Sequence, residues 1–334
     1  MCPARSTYAT IDDQLGPAAG RFFGTGFRRV SQRITDAVVD QVSGTITARA
    51  GITYPADWST KLAGKSLTPH VSTIDAAVLA IALAESYLTH ALNLDGEQRR
   101  GLWLKRMVIK AGAAPQEQLT AFPVSAWHAG TTSEGETAVS VFDSLIGGLR
   151  VRCDISHPPG RRRSATTPTA LRDDLLGDPQ LRYYGRGFQT RDHQLRNVDL
   201  VPDYSNASAD IRLTDTHSFP DGFGGRHQPS VTVIDGMVVL AQLAQSLLYR
   251  LDNIDRGQSD TLWMRRVEVS ANAPETPLTS EPFRSSTSII RSGLVNFNGG
   301  HWRTSDWRSQ FSGLHFAYRL AHRLPTTDFV GATR

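Results

Sequence analysis

Glu85 is the residue whose surroundings most invite chemistry. It stands within an apolar run from Ile74 to Leu92, after nine consecutive small or aliphatic residues, Ala76 to Ala84. A carboxyl group buried there resists ionisation, so its pKa rises and it needs a partner. Such a carboxyl, or a histidine, is the usual general base near neutral pH. His70 lies just ahead of the run, five residues before Asp75, close enough for a loop to bring the two together. His70, Asp75 and Glu85 are therefore the candidate catalytic set. Each has a plainer reading. His70 fits a surface loop, Asp75 fits the N3 place of a capping box opened by Ser72, and Glu85 fits drift at a solvent-facing position.

The same stretch occurs twice. Pro69-His70-Val71-Ser72-Thr73-Ile74-Asp75 returns as Pro229-Ser230-Val231-Thr232-Val233-Ile234-Asp235. Aligned without gaps from Ile74 to Ala113, about fifteen of forty positions are identical, well above the two or three expected by chance. In the second copy Ser230 replaces His70 and Gln245 replaces Glu85. Both losses fall in one copy, which fits one working site and one degenerate one.

Four further residues are candidates for substrate binding. Arg106 and Arg266 follow a Leu-Trp pair in both copies and suit a phosphate on a sugar or on a carrier's pantetheine arm. A solvated outer sheet face is the favoured reading of both. Trp58, beside Asp57 in the loop before the first helix, has the ring for stacking on a sugar, or for packing that loop. Asp235 repeats Asp75 and carries the same capping alternative. The glycines of Arg21-Phe22-Phe23-Gly24-Thr25-Gly26-Phe27, matched by Arg182-Tyr183-Tyr184-Gly185-Arg186-Gly187-Phe188, resemble a phosphate loop only superficially, since no Lys-Ser/Thr follows. A strand entering a bulge or tight turn is the better expectation.

These residues need elements to hold them. Ser72 and Thr232 are N-caps, and nineteen residues from Ile74 to Leu92 make a helix about 28 Å long. Apolar on nearly every side, it is a helix that sheet surrounds. A second runs from Ile234 to Leu251. Alternating segments predict strands at Gly44–Tyr54 and Ala209–Leu213 before the helices. After them come Leu102–Ala111 and Leu262–Ala271, Phe122–Trp127 and Phe283–Ile289, and Gly148–Ile155 and Gly313–Leu320. The fold class is α+β, a tandem or double hot-dog with two long central helices, each wrapped by a curved antiparallel sheet. The two units, 1–160 and 161–334, pair edge to edge, and the Pro/Arg/Thr-rich stretch His157–Thr169 links them.

Composition narrows the classes. With 334 residues, 40% hydrophobic and 20% charged, the chain is of soluble globular type and long enough for two domains. Its charge of +4 is spread along the sequence, and Arg161-Arg162-Arg163 is the one basic run, so no nucleic acid is expected. Glu85, His90, Gln242 and Gln245 interrupt the apolar runs, which argues against membrane spans. Cys2 and Cys153 are not expected to pair, and the ten histidines lack metal-ligand spacing. No metal and no cofactor is expected, and the location is expected to be cytoplasmic.

The string from Leu15 to Val30, then Tyr54-Pro55-Ala56-Asp57-Trp58-Ser59, then Pro69 to Asp75, resembles the avirulence protein D (AvrD) family over nearly the whole chain. That resemblance implies a part in making syringolide-type elicitors, in which a β-ketoacyl chain is joined to a xylulose-type sugar. In layout the chain is more distantly similar to the A-factor biosynthesis (AfsA) group, which implies acyl transfer from acyl carrier protein. The expected activity is thus acyl transfer from a carrier protein or CoA thioester to a hydroxyl of a sugar or sugar phosphate. The competing readings are a dehydratase or thioesterase on the same thioester, and a non-catalytic acyl- or signal-binding protein.

Overall fold

The computed structural model describes residues 5–60, 67–160, 165–201, 205–257, 259, 262–274, 276–297 and 299–325. Fourteen strands form one antiparallel sheet. In chain order they are β1 (Ser6–Thr10), β2 (Ser31–Asp40), β3 (Thr45–Thr53), β4 (Trp103–Lys110), β5 (Phe122–Glu134), β6 (Thr137–Ile146), β7 (Leu149–His157), β8 (Thr169–Ala170), β9 (Asp192–Leu200), β10 (Asn206–Thr214), β11 (Leu262–Ala271), β12 (Phe283–Phe297), β13 (Gly300–Phe311) and β14 (Leu314–Arg323). The helices are α1 (Asp12–Leu15), α2 (Thr73–Ala91), α3 (Gly96–Arg100) and α4 (Val233–Leu251).

The sheet order is β1-β9-β10-β12-β13-β14-β11-β4-β7-β6-β5-β3-β2-β8. Strands of the first sequence copy lie on one side of the β11–β4 junction and those of the second on the other, in mirrored order. At the junction Arg266 pairs with Lys110, Glu268 with Val108 and Ser270 with Arg106. Subtracting the 160-residue repeat shows that this register is two-fold symmetric about Val108 and Glu268. The short leading strands break the segregation: β1 adds to β9, and β8 adds to β2.

Both long helices begin as the sequence predicts. Ser72 and Thr232 accept a hydrogen bond from the N–H of Asp75 and Asp235, and each aspartate carboxylate in turn accepts one from the N-cap N–H. Thr73–Ala91 packs on β2 to β7, Val233–Leu251 packs on β9, β10 and β12, and the two helices touch each other. Two expectations change. The Arg-aromatic-aromatic-Gly motifs are turns leading into short 3-10 segments, Gly26–Arg29 and Gly187–Gln189, with no strand. Gly26 sits there because a Cβ would lie 2.1 Å from the Trp58 carbonyl oxygen. Strands β1, β2, β6, β8, β9 and β13 are additional to those predicted. Cys153 is buried in β7, while Cys2 and Arg161–Arg163 lie outside the described residues.

Candidate functional site

The main cavity, about 240 Å³, lies between the approach to α2 and the flank of α4. One wall is Phe22, Tyr54, Trp58, His70 and the first residues of α2, Ser72 and Thr73; the other is Met237, Leu240, Ala241, Gln245 and Tyr249. Strands β11 and β14 close it with Met264, Val267, Phe316 and Leu320. From Met237 to Tyr249 the apolar wall follows α4 for about 18 Å. A roomier groove of about 880 Å³ runs along the other flank of α2, but two of its arginines are already paired, Arg172 with Asp174 and Arg182 with Glu85.

His70 is half-buried at the cavity wall, its ring edge-on to Trp58. Its Nδ1 lies 3.1 Å from the Thr68 carbonyl oxygen. A carbonyl only accepts, so Nδ1 carries the proton, and Nε2 of the neutral ring keeps its lone pair. That is the arrangement a general base requires.

Asp75, although beside His70, is not a second base. One oxygen accepts from Gln32 Nε2 at 2.6 Å; the other accepts from the Ser72 N–H at 2.8 Å, the Ser72 hydroxyl at 2.7 Å and the Tyr54 hydroxyl. With four donors on a carboxylate that is 1% exposed, Asp75 is not presented to a substrate proton. Asp75 fixes the helix end, and burial next to that carboxylate holds the Tyr54 phenol well above its usual pKa.

Glu85 is not brought to His70. It lies ten residues along α2 from Asp75, about 15 Å, and faces the turns of the second copy. Its carboxylate is 3.7 Å from Arg182 and 3.9 Å from Arg99, close against Gly222. Phe223 and Tyr184, edge to face at 5.5 Å, are buried beside the start of α4 in a recess of only about 40 Å³. Ser230 lines that recess, and Glu85 does not. The open cavity combines His70, ahead of one helix, with Gln245 on the flank of the other. His70 and Glu85 are therefore not brought into one cavity.

Burial raises the Glu85 pKa despite the two guanidinium groups. A carboxyl that holds its proton more tightly when folded loses stability as pH rises from the ordinary carboxyl value through its own raised value. Glu85→Gln is expected to flatten that slope in thermal melts as pH rises above about 4. Turnover should stay within about twofold of wild type, because the side chain lies outside the open cavity.

The other candidates fare as follows. Trp58 does line the cavity, but it is 8% exposed, wedged at 5.2 Å from Tyr54 and 5.6 Å from Phe22, so it serves as wall. Arg106 and Arg266 do not reach the cavity. Both pair with Glu268, at 2.6 and 2.7 Å, on the sheet face turned from the helices. At these half-exposed positions Arg106→Ala is expected to cost about 1 kcal/mol or less in denaturant titration, without changing substrate KM. Asp235 is not substrate-accessible either. It is fully buried and binds Arg191 at 2.7 Å, His193 Nε2 at 2.9 Å and the Thr232 N–H at 2.7 Å. Strands β9 and the start of α4 thus meet over a buried ion pair, which Asp215 extends at 2.6 Å from Arg191.

Sequence reading assigned no role in the site to Gln245, Arg21 or Arg256. Gln245 was the visible signal, read there as a loss. Among the described residues, no group of three or more His, Cys, Asp or Glu side chains is placed to hold a metal ion.

Comparison with known proteins agrees with the sequence motifs. Residues 6–325 match the Pseudomonas avirulence D protein (AvrD) family, and the chain belongs to it. No curated protein matches. Among solved structures, the chain is similar to the tesB protein of Mycobacterium avium subspecies paratuberculosis, with 9% identity, a TM-score of 0.42, and coverage of 86% of this chain and 96% of that one. An acyl-ACP thioesterase from Bacteroides thetaiotaomicron gives 11% identity and a TM-score of 0.40, over 85% and 100% of the two chains. The dehydratase domain of the polyketide PpsC from Mycobacterium tuberculosis gives 13% and 0.33, over 88% and 98%.

Proposed function

We propose that this AvrD family member is a cytoplasmic tandem hot-dog acyltransferase, with units 1–160 and 161–334. It would move a β-ketoacyl group from a carrier-protein or CoA thioester to a hydroxyl of a xylulose-type sugar or sugar phosphate. The observation that carries this reading is the union, in one cavity, of the His70 Nε2 lone pair with an apolar channel along α4. His70 takes the acceptor's hydroxyl proton as its oxygen attacks the thioester carbonyl. The C–S bond breaks, the ester C–O bond forms, and the proton passes to the departing thiolate. The capping box occupies the N–H groups of Ser72 and Asp75. Those of Thr73 and Ile74 remain for the oxyanion, aided by the helix dipole. Leu240, Ala241, Met264 and Val267 give the acyl tail an apolar lodging.

The family's tie to syringolide-type products supports the choice of acyl donor and sugar. The test is to mix the protein with a β-ketoacyl carrier protein, with and without xylulose 5-phosphate, and to measure free thiol and product mass. Sugar-dependent thiol release with the ester mass supports transfer. Sugar-independent release would point to hydrolysis, and no release to a binding protein.

A further inference from the structure

The aligned positions of the two long helices differ in charge. On α2, Glu85 supplies a carboxylate between Arg182 and Arg99. On α4, residue 245 is a neutral glutamine at the cavity wall, whose amide has no hydrogen-bond partner among the described residues. Two guanidinium groups line that cavity, Arg21, which aligns with Arg182, and Arg256, just beyond α4. Arg21 is fully engaged, with Pro17 O at 3.4 Å, Gln242 Oε1 at 2.7 Å and the Asp12 carboxylate. Arg256 gives one N–H to the Gly20 carbonyl at 2.7 Å and meets no carboxylate among the described residues. Burial lowers the pKa of both, and Arg256 adds to the lowering at Arg21, so the two charges feel each other. A partly buried cation without a counter-charge is costly, and an arriving anion offsets that cost.

We propose that Arg256, flanked by Arg21 and Gln245, seats a phosphoryl group of one of the two substrates. On α2 the Glu85 carboxylate fills the aligned place, and on α4 the neutral Gln245 leaves that place for the ligand's anion. A guanidinium fork matches phosphate oxygens in bidentate fashion. Ser59, Trp58 and His70 line the same cavity, so a substrate anchored at Arg256 shares it with the base. The proposal rests on the acyl-transfer reading for its two phosphoryl sources, a phosphate monoester on the sugar and the phosphate of the pantetheine arm.

The experiment is calorimetric binding of inorganic phosphate, xylulose 5-phosphate, xylulose and 4′-phosphopantetheine to wild type, Arg256→Gln and Gln245→Glu, with thermal midpoints recorded. Gln245→Glu installs the carboxylate that α2 already carries as Glu85, so the fold is expected to accept it, and it should expel the ligand from within. Both variants are expected to weaken inorganic phosphate and one phosphorylated probe at least tenfold, and xylulose not at all. Loss confined to xylulose 5-phosphate assigns the site to the acceptor; loss confined to 4′-phosphopantetheine assigns it to the donor. Unchanged binding of all phosphorylated probes by both variants overturns the site. Phosphate binding that depends on Arg256 in a protein that transfers no acyl group keeps the site and sinks the acyltransferase reading instead.

Discussion

His70→Gln is expected to slow acyl transfer by a factor on the order of 10²–10⁴, with the thermal midpoint moved by no more than a few degrees. The glutamine amide can still donate to the Thr68 carbonyl, as Nδ1–H does, so the loop keeps its local bond. What it lacks is a basic nitrogen on the cavity side. The half-buried ring leaves a small packing defect against Trp58, which sets the modest stability change. Single-turnover transfer from the acyl carrier protein, read beside a melt, separates the two effects. A stable variant with a near-normal rate would remove His70 as the base and return the burden to the helix N-terminus alone.

Asp235→Asn is expected to destabilise the protein by about 3 kcal/mol, the low end of the range for removing one partner of a buried pair. Arg191 is fully buried and keeps Asp215, so its charge is not left wholly alone. The matching change in the first copy, Asp75→Asn, faces only neutral donors, Gln32, Tyr54 and Ser72, and should cost about 1–2 kcal/mol. Urea titration of both variants checks the order. The Arg191 guanidinium and His193 hold the Asp235 carboxyl well below the usual range, against the opposing effect of burial. A carboxyl with a depressed folded pKa contributes its stability above the unfolded value, near 4, and loses it as pH falls toward the folded value. Wild type should therefore lose its advantage over Asp235→Asn on acidification below about pH 4. An equal difference at pH 3 and pH 7 would remove the ion pair as its cause.

Much of this architecture could be read directly from the residues. The two long helices start within a residue of expectation because Ser72 and Thr232 cap them and Asp75 and Asp235 complete the boxes, a purely local code. Strands β2 and β9 escaped notice because each breaks its alternation midway. Asp36 and Asn197, at aligned positions, adopt positive φ of 55° and 47°, and the β2–β3 pairing shifts register between Thr35 and Val38. The site was half legible. His70 faces the cavity because it sits just ahead of the helix start, and Trp58 because its ring packs edge-on to His70. Gln245 faces it only through the packing of one helix flank on the other copy's loops, a tertiary relation that no spacing within either copy encodes. Arg106 failed as a candidate because Glu268 reaches it from across the β4–β11 junction, and Arg266 because the same carboxylate pairs with it two residues along β11.

The crossed leading strands have a consequence for how the two halves could ever be parted. Segment 6–10 closes the sheet edge of the second half, and 169–170 lies on the edge of the first. With a junction register symmetric about Val108 and Glu268, a chain of one half could complete both contacts only by embracing an identical copy. Such a homodimer would carry any change in both sites at once. Joining the copies in one gene lifts that restriction. Glutamine at 245 and glutamate at 85, or an open mouth at His70 and a shut one at Phe223, then become separable choices. The covalent link thus does what no interface could do for identical subunits: it lets one site specialise while its twin turns into scaffold.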